Sequence, residues 1–389
     1  MKLLLSICAN FLALPLIVTA RAQTETAIEQ KPIAAALQSF VDHQVLAGAV
    51  VLVASREKVL DLEAVGYADA AAKKPMSADA LFWIASMSKP IAATAMMMLI
   101  DEGRVHLDDP VDQYLPEFKD VMVADKKEKK AAPRKPTGPI LVRHLLSLTS
   151  GMQFGSEKKA NELLDVGTLA ERVRSYAKMT LDFDPGTNYQ YSNASLNTAA
   201  RIIEVVGGIP YEEFLDQRLF QPLGMKDSTF WPNEEQLTRL AKSYKGNADK
   251  SGIEETPIDQ LTYPLNDRRR QPVPAGGLFS TAADYARFAR MILNGGELDG
   301  KRYLSTSAVQ QMTVKQTPAS VEHGYGFGFQ TAGPTFGHPG HYGTSVSIHS
   351  DRNLILIFMV QNAGWRNEEG RKIGPAFGSA ALKAFGKVK

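Results

Sequence analysis

A chain of 389 residues with 44% apolar and 22% charged side chains has the make-up of a soluble protein with a sizeable core. Its 44 basic and 42 acidic residues nearly cancel, so no basic excess points to nucleic acid or to an anionic membrane surface. Cys8 is the only cysteine, which excludes an intrachain disulfide and a cysteine-rich zinc site.

The first 22 residues stand apart. Lys2, an apolar run from Leu3 to Val18 and the triplet Ala20-Arg21-Ala22 have the layout of a secretory signal peptide. The run is shorter than the ~20 residues that span a bilayer, so cleavage without stable membrane insertion is the expectation. Cys8 lacks the small preceding residue that a lipid-anchor site wants. Without Lys2 and Arg21 the mature chain balances 42 basic against 42 acidic side chains and holds no cysteine. It is expected to be exported, to the periplasm or beyond.

Ala27 to His43 carries Ile33, Leu37, Phe40 and Val41 at helical spacing and predicts a helix. Ala49 to Ala54 and Val59 to Tyr67 are β-rich runs joined by Ser55-Arg56-Glu57-Lys58, a hairpin pattern. The stretch "FWIASMSKPIAATAMMMLIDEG", Phe82 to Gly103, then predicts a buried helix with Pro90 in its first turn, where a missing N–H costs nothing. Residues 104–270 alternate polar loops and helices, with a lysine-rich insert at 125–139 that reads as a solvated, mobile loop. Two helices are well punctuated: Leu196 to Val206, stopped by Gly207-Gly208, and Ala282 to Asn294, opened by Thr281 with Asp284 three residues on. From Gly324 the β character returns in "GYGFGFQ", "TSVSIH" and "LILIFMV", before a terminal helix from Phe377 to Phe385.

Strands at both ends with helices between predict an α/β (α+β) fold: one antiparallel sheet assembled from both chain ends, flanked by helices. The expected division is a signal peptide at 1–22 and one domain at 23–389. Residues 23–105 and 271–389 form its α/β part, and 106–270 a mainly helical insertion.

Zincin, phosphate-loop, dinucleotide and G-x-S-x-G signatures are all missing from the sequence. The seven histidines are scattered, and His338 and His341 lack nearby acidic partners, so no metal and no cofactor is expected. What remains is S-x-x-K, present four times: Ser55/Lys58, Ser86/Lys89, Ser156/Lys159 and Ser175/Lys178. The hairpin turn, the polar loop and the middle of an exposed helix would each leave the lysine solvated. Ser86 alone precedes a long buried segment. There the i, i+3 spacing puts the Lys89 amine beside the Ser86 hydroxyl, while the helix N-terminus and burial both disfavour a charged amine.

An isolated S-x-x-K is more often a capping serine beside a surface lysine. Company reverses that. Tyr191-Ser192-Asn193 is the one Tyr-x-Asn in the chain, just ahead of a helix, and His338-Pro339-Gly340 lies directly ahead of a strand. A tyrosine can relay protons if a nearby cation lowers its pKa, an asparagine can fix the lysine and a substrate, and a cation at a strand edge can approach a carbonyl.

Ser86-Met87-Ser88-Lys89, Tyr191-Ser192-Asn193 and His338-Pro339-Gly340, in this order, resemble the three motifs of serine β-lactamase-like hydrolases. That superfamily includes class C β-lactamases, penicillin-binding proteins, D-aminopeptidases and family VIII carboxylesterases. Residues 140–152, 185–193, 274–293 and 338–361 extend the likeness. It implies Ser86 as the acylated nucleophile, Lys89 and Tyr191 as the proton-transfer pair, and Asn193 and His338 as substrate-positioning groups. Gly340 would serve the substrate side, and the amides of Ser86 and His341 the oxyanion. His341-Tyr342-Gly343 is a second His-x-G, and "FGHPG" favours His338.

Where β-lactamases and penicillin-binding proteins have a K-T-G lysine this chain has a histidine, largely neutral at pH 7, which weakens the case for a substrate carboxylate. The expected substrate is therefore a small ester, ahead of an amide or β-lactam, with a β-lactamase or D-Ala-D-Ala-type peptidase as the alternative. An inactive cell-wall-peptide binder is the remoter one.

Overall fold

A computed structural model describes residues 32–125, 132–155, 163–249, 251–365 and 367–386. The signal-peptide reading, the start of the first helix and the Ser156/Lys159 pair lie outside the described residues. Helix α1 (Pro32–Asp42) leads into β1 (Gly48–Ala54), which turns at Ser55–Lys58 into β2 (Val59–Asp69), followed by a short β3 (Lys74–Pro75). Helix α2 (Ser88–Asp101) is the buried apolar helix after Ser86. Three helices of the middle segment bear on the site: α3 (Val142–Leu146), α4 (Leu169–Tyr176) and α5 (Asn193–Gly207), followed later by α6 (Ala282–Leu293). Strands β4 (Gln330–Ala332), β5 (Thr335–Pro339), β6 (Ser345–His349) and β7 (Leu354–Met359) precede the closing helix α7 (Ile373–Phe385).

The two chain ends meet in one seven-stranded sheet of order β4-β5-β6-β7-β1-β2-β3, with every neighbouring pair antiparallel. Its seam pairs Val50 with Met359 and Leu52 with Ile357. β1 is apolar throughout because both its faces are covered. Ala49, Val51 and Val53 pack with Ile33 and Leu37 of α1 and Phe377 of α7, whereas Val50 and Leu52 join the core of α2, α5 and α6. Side chains alternate across a strand, so one uninterrupted apolar run serves two cores. The α/β architecture with a sheet from both ends is the one expected.

Local differences have physical causes. "GYGFGFQ" is not a strand: Gly326 donates to Phe329 O at 2.8 Å in a tight turn, and β4 begins only at Gln330. Gly328, at φ +77°, lies where an added Cβ would come within 2.9 Å of Lys89 O and 2.6 Å of the Ala93 side chain, so its lack of a side chain lets this turn rest on α2. His338 lies within β5 rather than ahead of a strand. Helix α5 starts three residues earlier than expected, at Asn193, because Ser192 caps it by accepting from Ser195 N. Ser175 is near the end of α4, not its middle. Of the lysine-rich insert, residues 132–135 are exposed, but Arg134 pairs with Asp184 and Lys135 with Asp120, which ties them to the body of the fold. No described helix is long and apolar enough to cross a membrane.

Candidate active site

Phe82–Trp83 pairs with Phe279–Ser280, and the chain then reverses in a short turn, Ala85–Met87, that opens α2. Ala85 sits at φ +43°, a left-handed conformation that costs an L residue roughly 1–2 kcal/mol. The surroundings hold it there. Ser88 Oγ donates to Ala85 O at 2.7 Å and accepts from Leu278 N at 3.3 Å, Tyr285 Oη donates to Met87 O at 2.9 Å, and the Trp83 indole donates to Gly276 O at 2.8 Å. Ser86 thus stands half-buried at the tip of a turn fixed from three directions.

Lys89, one helical turn on, is completely buried. Its Nζ lies 3.1 Å from Ser86 Oγ, 2.7 Å from Asn193 Oδ1 and 2.8 Å from Ala275 O. These three partners are a hydroxyl, an amide and a peptide carbonyl, none of them anionic. Burial therefore goes uncompensated and pushes the amine well below the ordinary lysine value. A neutral amine has two hydrogens and one lone pair. The two carbonyl oxygens can only accept, so they take the hydrogens, and the lone pair is left for the Ser86 hydroxyl, which donates.

Helix α5 supplies this cage twice over. Asn193 reaches Lys89 directly, and Asn197, one turn later, accepts from Ala275 N at 3.1 Å and donates to Tyr176 Oη at 3.1 Å, orienting the residue whose carbonyl holds Lys89.

Tyr191 lies against the same amine, its ring centroid 4.6 Å from Lys89 Nζ. Burial raises its phenol far above the usual range, and a hydrogen bond with Ser86 offsets only part of that. The expectation that a cation lowers this pKa is reversed: burial, the largest cause, raises it, and Tyr191 is a neutral phenol.

His338, also buried, is corrected in the same sense. Nδ1 lies 2.7 Å from Pro339 O, which can only accept, so Nδ1 carries the hydrogen and Nε2 accepts from Tyr325 Oη at 3.2 Å. Burial, the largest cause, lowers its pKa to about 3. The strand edge therefore carries a neutral imidazole and not a cation, 6.1 Å from the Tyr191 ring between centroids.

Gly340 follows this strand where an added Cβ would meet Ile84 O at 2.6 Å and Thr344 Oγ1 at 2.0 Å, so only glycine lets the end of β5 approach the turn ahead of Ser86 so closely. His341 is exposed, its ring edge on Tyr342, which in turn packs edge-on against Trp83 at 5.0 Å.

The structure thus brings Ser86, Lys89, Tyr191, Asn193, His338 and Gly340 together, with the His341 side chain outside the cluster. Four contributors escaped sequence reasoning: Ala275, Asn197, Tyr325 and Phe154, whose ring stacks on Tyr191 at 6.2 Å. A signal for Asn197 existed, since it repeats Asn193 at i+4. The Ala275 carbonyl left none, because a backbone oxygen has no residue signature.

The fold is that of the serine β-lactamase-like superfamily. The chain belongs to the Beta-lactamase family, whose profile matches residues 33–374. It is 32% identical over 369 residues to Protein Rv1367c of Mycobacterium tuberculosis (strain ATCC 25618 / H37Rv), covering 84% of this chain and 89% of that one. Against Esterase EstB of Burkholderia gladioli it is 34% identical over 223 residues, 53% of this chain and 54% of that one. Among solved structures, EstCE1, described as a hydrolase with promiscuous acyltransferase activity, superposes with a TM-score of 0.77 at 24% identity, covering 90% of this chain and 97% of that chain.

Proposed function

We propose that the protein is an exported esterase that works through an acyl-enzyme on Ser86. The observation that carries this reading is the wholly buried Lys89, held by neutral partners beside a half-buried serine. A binding module has no use for an amine kept uncharged at such a cost.

In the proposed reaction, Lys89 Nζ takes the Ser86 proton as Oγ bonds to the substrate carbonyl carbon. The oxyanion is received by the amide of Ser86, at the head of α2 where the helix dipole favours negative charge, and by that of His341 just past β5. Collapse breaks the ester C–O bond, and the departing alkoxide takes the proton from Lys89 by way of the Tyr191 hydroxyl. Water then enters, gives a proton to Lys89 and releases the acid, with Ser86 reprotonated. Asn193 holds Lys89 in register throughout, and His338 and Gly340 border the substrate.

An ester is favoured over a β-lactam because the strand edge offers a neutral imidazole where a substrate carboxylate would want a fixed cation. The likeness to an esterase over about half the chain points the same way. Export rests on the pattern of residues 1–22.

The test compares turnover of a short-chain aryl ester with that of a chromogenic cephalosporin by the purified protein. Ester turnover well above cephalosporin turnover supports the reading. The opposite ranking replaces it with a β-lactamase, and no turnover of either leaves the D-Ala-D-Ala-type peptidase or the inactive binder.

A further inference from the structure

Phe154 is the one aromatic side chain among the described residues that joins two properties: it stacks on a ring of the site, and more than half of it, 54%, remains in water. A phenylalanine that exposed gains little from burial, and singly exposed apolar residues are commonplace. What separates Phe154 from Val205, exposed near the far end of α5, is how firmly it is placed and against what.

Its carbonyl accepts from both Asn193 N, at 2.9 Å, and Ala194 N, at 3.2 Å, so the backbone of Phe154 is fastened to the first turn of α5. Its neighbour Gln153 is fastened as well, with its backbone carbonyl accepting from Ser192 Oγ at 2.7 Å and its side-chain Nε2 donating to Thr180 O at 3.0 Å. The Phe154 ring lies nearly parallel to Tyr191, 26° between planes, and Tyr191 contacts both Lys89 and His338. A row of rings thus runs from the buried imidazole through Tyr191 out to Phe154, and its outer end is an aromatic face in water.

Every group along this row is neutral: the His338 imidazole accepts from Tyr325, and Tyr191 keeps its phenolic proton. A neutral, pre-positioned aromatic face beside a nucleophile suits a planar apolar group and offers a carboxylate nothing.

We propose that Phe154 is a specificity-determining residue that stacks an aromatic ring of a neutral ester substrate. The inference rests on the esterase reading above. The ring could belong to the alcohol or to the acyl part, and the two are told apart by benzyl acetate and ethyl phenylacetate, each measured against ethyl acetate. All three release simple aliphatic or benzylic alcohols, so the comparison reads binding rather than leaving-group ability.

In wild-type protein one of the two aromatic esters has a higher kcat/KM than ethyl acetate. In Phe154→Ala that ratio falls by roughly 2- to 10-fold, the worth of one aromatic pair. The loss lies mainly in KM, and Phe154→Trp restores the ratio. The benzyl ester responding places the ring in the alcohol, and the phenylacetyl ester responding places it in the acyl group. Val205→Ala leaves the ratio alone.

A ratio unchanged in Phe154→Ala overturns the proposal, as does a loss shared equally by all three esters, which would mean that Phe154 only steadies Tyr191. Wild-type protein that hydrolyses none of the three overturns the esterase reading itself. Wild type that hydrolyses ethyl acetate without preferring either aromatic ester overturns only the role of Phe154.

Discussion

At Ser55–Lys58 and at Ser86–Lys89 a serine and a lysine stand three residues apart, each in a turn beside a buried element. In the hairpin, Ser55 Oγ donates to Glu57 Oε2 at 2.6 Å and accepts from the amides of Glu57 and Lys58, while Lys58 points into solvent. Its hydroxyl is fully occupied by turn formation, and its lysine is solvated. At the head of α2 the arrangement is inverted: the lysine is buried and the serine half-buried. Spacing alone therefore builds nothing. The difference is made by Asn193 and Ala275, which arrive from segments far along the chain and make burial of Lys89 tolerable without supplying a negative charge.

The sharpest way to break this contrast is to remove each serine. Ser86→Ala is expected to reduce ester turnover to background, whereas Ser55→Ala keeps it and costs only about 1 kcal/mol of stability, the worth of a turn hydrogen bond. Equal losses of turnover would erase the distinction between the two turns.

Lys89→Met should come next, lowering kcat/KM by about 10²- to 10⁴-fold, the usual share of general-base catalysis. The sign of its pH dependence follows from burial. Lys89 is active when neutral and its pKa is depressed, so wild-type activity is present above that pKa and is lost as pH falls through it. Lys89→Met should lose this acidic limb and keep only the residual rate. An acidic limb that persists unchanged in the variant would assign it to another group.

Asn197→Ala acts at one remove. Releasing Ala275 and admitting water beside Lys89 is expected to lower kcat/KM by about 10-fold, in keeping with outer-shell positioning groups. It should also move the acidic limb to higher pH, because a better-solvated amine regains its proton more easily. A fall in rate with the limb unmoved would make Asn197 merely structural. The smallest effect is expected at His338: its imidazole signals in NMR should stay in the neutral Nδ1-H form between pH 5 and 8, since burial holds its pKa near 3. Titration around 6.5 would restore the cation at the strand edge.

Much of this site is legible in the sequence because side chains carry it. Ser86, Lys89, Tyr191, Asn193 and His338 are all named by motifs, and the meeting of the two chain ends follows from where the β-rich runs lie. What the sequence does not carry is the environment. The same tyrosine and histidine suit a relay near a cation or a neutral aromatic row, and only burial decides between them. Glycine alternation in residues 324–330 correctly signals close packing, yet the partners differ: Gly328 rests on α2, Gly326 on the Met312 and Val314 carbonyls, and Gly324 on Thr331 of β4. Ala275 acts through its carbonyl, which any residue would provide.

The central claim, that Ser86 is made nucleophilic by a neutral Lys89, is tested most directly by covalent labelling with a fluorophosphonate followed by peptide mapping. One adduct is expected, on Ser86, forming at a rate that drops at acidic pH and collapses in Lys89→Met. An adduct on a different serine, or labelling of Ser86 that is indifferent to Lys89, would contradict it.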